Sequence, residues 1–172
     1  MIQYDIIAGK ISIDNVDSFI LNIHQFGKKN QIFIQTFNAD MIYGKKHLES
    51  SILHAIRAFR NDLMSTKSLD MEILLYASGE RQLKHAIPKM GIKKGDIDLA
   101  ITFVSMDTCL DLKKVINDFC SQFNIIRDDA RLEGSKETLE RFGISKNEYK
   151  SLSANQYVNL ILEKVAMVDI IK

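Results

Sequence analysis

The chain has 172 residues, 46% of them hydrophobic, with 23 basic and 22 acidic side chains and a formal net charge of +1. One proline, eight glycines and two cysteines exclude a collagenous chain, a Pro-rich linker and a disulfide framework, and the charge balance excludes a wholly basic nucleic-acid coat. The longest stretch without charge, Ser151 to Leu162, has 12 residues, against the about 20 that a bilayer span needs. The opening MIQYDIIAGK has no basic region followed by an apolar core, so one non-membrane, cytoplasmic domain is expected.

In chain order, the first strand covers Ile2 to Ile7 and extends through Ile13 after a turn at Gly9. Asp14 then caps a helix to about Phe26, which Gly27 ends. A second strand, Gln31 to Phe37, alternates Ile32, Ile34 and Thr36 with Phe33, Gln35 and Phe37. A long helix follows Gly44 to about Met64. The apolar run Met71 to Ala77 reads as a third strand, and a shorter helix follows Ser78-Gly79 and stops near Gly91. A β-branched fourth strand spans Ile97 to Val104. A helix from about Thr108 to Phe123 would hold Cys109 and Cys120 about 16 Å apart, too far to bridge.

No strand signal follows Val104. Residues 127–150 are polar, and Asp128-Asp129 reads as a solvated turn rather than a cation site. A last helix runs from Ser153 to about Asp169. Strand–helix units come first and helices alone follow. That order implies a single domain over residues 1–172, a sheet-and-helix part over about 1–123 and a helical part over about 124–172. A small sheet covered by helices, α/β or α+β, fits this order, with strand direction open.

Phosphate-loop, dinucleotide, zinc and serine-hydrolase motifs are absent from the sequence. His47 and His54, seven apart, would sit about 10 Å from each other on one helix, too far to chelate one ion. No catalytic group, metal or cofactor is expected.

Three features remain. On the 45–64 helix, Leu48, Ile52, Ala55, Ile56, Phe59 and Leu63 share one arc and read as a core face. The opposite arc carries His47, Ser50, Ser51, His54, Arg57, Ala58 and Asn61, with Arg60 to one side. It is either a solvated face or one open to a planar or anionic group. Next, the Ser78-Gly79 turn, read as entering a helix, would offer free N–H groups to an anion. Arg81, Lys84, Lys89, Lys93 and Lys94 follow with no acidic residue among them. That run is either an exposed basic surface or a footprint for phosphate. Finally, the last helix is apolar over a wide arc, including Tyr157, Val158, Leu160, Ile161, Leu162, Val165, Met167 and Val168. It is either sandwiched in the core or offered to a partner.

The blocks HLESSILHAIRAFRND (47–62) and EILLYASGERQLKHAIPKMGIKKGD (72–96) resemble the signature segments of the smallest, kinase-binding subunit of the KEOPS complex, the PRPK-binding protein (TPRKB) family. The Ala-Ser-Gly-Glu-Arg-Gln stretch at 77–82 is the most specific part. The compact length looks archaeal. This resemblance implies an α+β fold, a small, mainly antiparallel four-stranded sheet covered by helices with an all-helical C-terminal part. It implies a non-catalytic subunit that binds the kinase-like ATPase subunit of KEOPS. It further implies recruitment of tRNA by its single-stranded 3′ CCA end, supporting N6-threonylcarbamoyladenosine formation at tRNA position 37, with no DNA partner. Joined to the residue chemistry, the tRNA candidates are Arg57, Arg60, Asn61, Arg81 and Gln82, with Lys84 adding charge. The kinase-subunit candidates are Val158, Ile161, Leu162, Val165 and Val168. The competing reading is an enzyme or binding protein for a phosphate-bearing small molecule at the Ser78-Gly79 turn.

Overall fold

A computed structural model describes residues 2–172, apart from the side chain of Asp96. In chain order the elements are β1 (Gln3–Ile13), α1 (Val16–Asn30), β2 (Ile32–Asn38), α2 (Gly44–Arg60), α3 (Leu69–Ser78), α4 (Leu83–Met90), β3 (Gly95–Ser105), α5 (Leu112–Gln122), β4 (Ile126–Arg127), α6 (Lys136–Phe142), α7 (Lys146–Tyr149) and α8 (Tyr157–Ile171). The architecture is α+β, as expected. None of the described helices is long and apolar enough to cross a membrane. The chain forms two compact units, each discontinuous in sequence. One comprises the chain up to Ala39 with Ile92–Arg131, the other Asp40–Gly91 with Leu132–Lys172.

The first unit holds a four-stranded sheet in the order β2-β3-β1-β4, antiparallel throughout. Ile7 faces Ile101, and Ile34 faces Phe103. These residues share one sheet face with Ile11, Ile13, Ile32 and Leu99, and are buried with Phe19, Ile23 and Phe26 of α1 and Leu112, Val115, Ile116 and Phe119 of α5. Phe119 meets Phe26 and Phe103 edge-on, at centroid distances of 5.2 and 5.1 Å, the favoured aromatic arrangement.

Several local expectations change here. Gly9 is not a turn, and β1 runs straight through it. A Cβ at Gly9 would lie 2.6 Å from the Ile126 carbonyl oxygen, so the glycine lets β4 approach. β4 itself, two residues long, is too short to leave an alternating pattern. Asn15, not Asp14, caps α1, accepting the Ser18 N–H at 2.8 Å. The helix passes through Gly27 and ends at Gln31, which takes the left-handed conformation (φ 56°). α5 begins only at Leu112, where the Asp111 carboxylate accepts the Lys114 N–H at 3.1 Å. Cys109 therefore lies outside that helix, and both cysteines are free thiols. Asp128 and Asp129 are neutralised by Arg131 at 2.8 Å and Arg127 at 2.7 Å. The Asp129 carboxylate also accepts the Ala8 N–H at 3.0 Å, so the acidic pair staples β1.

In the second unit, Met71–Ala77 is helical, not a strand. Nine residues of α3 are buried, Met71 alone being partly exposed. A helix buried all round has no polar stripe, and its apolar run mimics a buried strand. α2 stops at Arg60, earlier than expected. Asp62 turns left-handed (φ 55°), and the N–H groups of Asp62 and Leu63 close on the carbonyls of Phe59 and Ala58 at 3.3 and 2.9 Å. This is a Schellman-type end.

Candidate functional site at the helices of the second unit

The wheel drawn for α2 is rotated in the structure. His47, Ser51 and Ala58, expected on the open arc, are buried, while Phe59 and Leu63, expected in the core, are exposed. The buried polar groups are satisfied. The Ser51 hydroxyl donates to the His47 carbonyl at 2.8 Å. The His47 ring places Nε2 2.8 Å from the Ala77 carbonyl and Nδ1 3.2 Å from the Tyr43 N–H. Nε2 must donate and Nδ1 must accept, so the ring is neutral. Burial pushes its pKa down to about 4, against the Ala77 bond that raises it, with the charge of Lys89 adding to the fall. His47 is a core histidine that ties α2 to the end of α3.

The Ser78-Gly79 turn has the opposite polarity from the one expected. Gly79 (φ 67°) closes α3 rather than opening α4. Its N–H points back to Tyr76 at 3.0 Å, and the Glu80 N–H goes to Leu75 at 3.4 Å and to Ser78 Oγ at 3.2 Å. These N–H groups are spent, and the carbonyl end of a helix repels anions. The turn therefore offers phosphate no free N–H cradle, contrary to expectation. Lys89 answers that carbonyl end, donating to the Ser78 carbonyl at 2.8 Å and pairing with Glu80 at 3.1 Å.

The six tRNA candidates fall into two groups. Arg81 and Lys84 are exposed and Gln82, the residue before α4, is half-buried. They follow the end of α3, which His47 brings beside the start of α2. Arg57, Arg60 and Asn61 lie ten to fourteen residues beyond His47, or about 15–20 Å along the helix. The second group edges a cavity of about 300 Å³ lined by Arg57, Asn61, Leu63, Ser65, Asp169 and Lys172; Arg60 stands outside it, exposed on α2.

Beyond Arg57 and Asn61, sequence reasoning did not single out the residues that build this cavity. The Asp169 carboxylate of α8 accepts from Tyr76 Oη and from Arg57 Nη2, and lies 2.8 Å from His54 Nδ1. His54 Nδ1 is also 2.7 Å from Arg57 Nη2. Burial works to raise the Asp169 carboxyl, but the Tyr76, His54 and Arg57 donors outweigh it and hold it below the usual range. Burial first, and the carboxylate second, push the Tyr76 phenol far upward. Beside this cluster the buried Glu72 accepts from Ser65 N–H at 3.1 Å, Thr66 N–H at 3.0 Å and Thr66 Oγ1 at 2.9 Å. Lys172 Nζ completes it at 2.8 Å and lies 4.5 Å from the centre of the Tyr76 ring. Glu72 sits in the stretch read as a strand, so its partners were invisible.

On α8, Ile161, Val165 and Val168 are fully buried with Tyr157. These three of the five kinase-subunit candidates pack the protein itself. Val158 and Leu162 are half-buried. With Ala166 and Ile170 they form a ridge at four-residue spacing, ending on an Ile170 side chain that is 74% exposed. That spacing was available in the sequence. Among the described residues no cluster of three metal-ligating side chains occurs.

The family model described as kinase binding protein CGI-121 matches residues 12–169. The chain belongs to this family. Regulatory protein Cgi121 of Methanocaldococcus jannaschii is 32% identical over 151 residues, 83% of this chain and 91% of the relative. KEOPS complex subunit Cgi121 of Pyrococcus abyssi is 37% identical over 83 residues, 46% of this chain and 47% of that protein. EKC/KEOPS complex subunit CGI121 of Coccidioides immitis is 28% identical over 68 residues, 40% of this chain and 33% of that protein. The match takes in both sequence blocks and nearly all of α8, so the resemblance drawn from those blocks holds.

Proposed function

We propose that this chain is a non-catalytic subunit of a KEOPS assembly. In this reading it binds the kinase-like ATPase subunit and recruits tRNA by the single-stranded 3′ CCA end, in support of N6-threonylcarbamoyladenosine formation at position 37. The observation that carries the reading is the family match across residues 12–169, in a family described as kinase-binding and with relatives named as KEOPS subunits. The ridge Val158, Leu162, Ala166 and Ile170 supports an α8 docking surface for the kinase-like subunit. For tRNA, Arg60, Arg81 and Lys84 supply exposed charge, and Arg57 and Asn61 supply directed donors at the cavity. Splayed bases and phosphates of a single-stranded end suit such donors better than a duplex groove does.

The test is binding of labelled tRNA, intact and lacking its 3′ CCA, at low and moderate salt. Phosphate contacts alone fade steeply with salt. A preference for the intact end that survives moderate salt supports the reading. Equal binding of both, or none, removes tRNA recruitment from it.

A further inference from the structure

Arg57 is an unusual candidate for a nucleic-acid contact, because its guanidinium already touches a carboxylate. Asp169 accepts from Arg57 of α2 and Tyr76 of α3, and lies 2.8 Å from His54 Nδ1 of α2. One guanidinium nitrogen, Nη2, makes the Asp169 contact, which leaves Nε and Nη1 able to donate. The side chain is 57% exposed, and an exposed arginine with no anchor loses much rotamer freedom when it binds. The anchor is rigid on its own side. Tyr76 is fully buried and fixes the other carboxylate oxygen, and Lys172, the residue just past α8, closes on Glu72 at 2.8 Å.

We infer that Asp169 is a positioning residue. From the last turn of α8 it fixes the Arg57 fork at the mouth of the cavity, so that the arginine meets a phosphate with its geometry already set. A carboxylate near a phosphate site weakens attraction through charge alone. The inference is that lost orientation outweighs that relief. It rests on the tRNA reading of Arg57, and the experiment separates the two.

Affinity for intact tRNA is measured with the full chain as wild type, Arg57→Ala, Asp169→Asn and the double variant, with circular dichroism as the folding control. Arg57→Ala is expected to weaken binding and to lower the salt slope by about 0.7, one phosphate of a single strand. Asp169→Asn, near-isosteric, is expected to weaken binding about three- to tenfold in the Arg57 background, the net scale of one ordinary hydrogen bond, and to have no further effect once Arg57 is gone. Asp169→Glu is expected to restore part of the loss. If Arg57→Ala changes nothing, the tRNA role of Arg57 fails, and the inference with it. If Arg57→Ala weakens binding but Asp169→Asn leaves it unchanged, tightens it, or acts equally in both backgrounds, the positioning role alone is overturned. Should Asp169→Asn not fold, Arg57→Lys decides. It keeps the charge without the planar fork, so full affinity would refute positioning and a loss close to that of Arg57→Ala would support it.

Discussion

The buried His47 ring makes stability depend on pH in a calculable way. Its two nitrogens face groups of opposite kind, an acceptor (the Ala77 carbonyl) and a donor (the Tyr43 N–H). A second proton would have to sit on Nδ1, against the Tyr43 N–H. The folded pKa is about 4, against an ordinary value of 6.5. The unfolded chain therefore takes up a proton that the native one refuses. This contribution is fully present above pH 6.5, falls as pH drops from 6.5 to 4, and is gone below 4. About 2.5 pH units at about 1.4 kcal/mol each gives roughly 3 kcal/mol, a large share of the 5–15 kcal/mol typical of a domain. Urea unfolding of the wild type and of His47→Gln at pH 7, 5.5 and 4 measures it. The wild type is expected to lose roughly 3 kcal/mol more than the variant between pH 7 and 4. The comparison cancels the carboxylates that titrate in the same range. Parallel losses in the two proteins would refute the neutral, donor–acceptor ring.

Two further substitutions test the second unit. Lys172→Met removes the cation paired with the fully buried Glu72 and should cost about 3 kcal/mol, as breaking a buried pair does. At roughly 2–4 °C per kcal/mol for a chain of this size, calorimetry should show Tm lowered by about 6–12 °C; a shift below about 2 °C would mean that the three neutral donors suffice. Leu162→Glu, at a half-buried position on the ridge of α8, should cost no more than about 1 kcal/mol, near the centre of the range for single substitutions, yet abolish co-purification of the kinase-like subunit. Retained co-purification would move the docking surface off this ridge.

Elements with a one-sided pattern were legible in the sequence. β2 alternates and α5 recurs at the right period because one side is more buried than the other, while β3, buried on both faces from Leu99 to Ser105, is legible as a continuous apolar, β-branched run. β4 could not be read, because two residues carry no period and its position is set by Gly9 in another strand. The wheel for α2 was drawn with the correct period and the wrong centre. His47 and Ser51 are polar yet fully buried, because partners distant in the chain, or backbone carbonyls, satisfy them. A residue scale counts them as surface. The wide apolar arc on α8 left its two readings open, and packing separates the buried Ile161, Val165 and Val168 from the half-buried Val158 and Leu162.

One misread element changed the functional argument. As a strand, residues 71–77 would run into a helix at Ser78-Gly79, and the N–H groups there would favour an anion. As α3, the same residues end at Gly79, those N–H groups turn back on Leu75 and Tyr76, and the positive charge of Lys89 is drawn to the turn instead of phosphate. Arg81 and Gln82 emerge beside the start of α2, while Arg57 and Asn61 lie at its end, next to α8. A single compact tRNA site built from all six residues is thus not what the fold offers. It offers an exposed basic turn and, about 15–20 Å along α2, a cavity whose arginine is set by the last helix. On the proposed tRNA reading, a contact made by Arg57 depends on the last turn of α8 through Asp169, whereas the turn that leads to Arg81 lies against Lys164, earlier on the same helix, so Arg57→Ala and Arg81→Glu would report on different parts of a bound RNA.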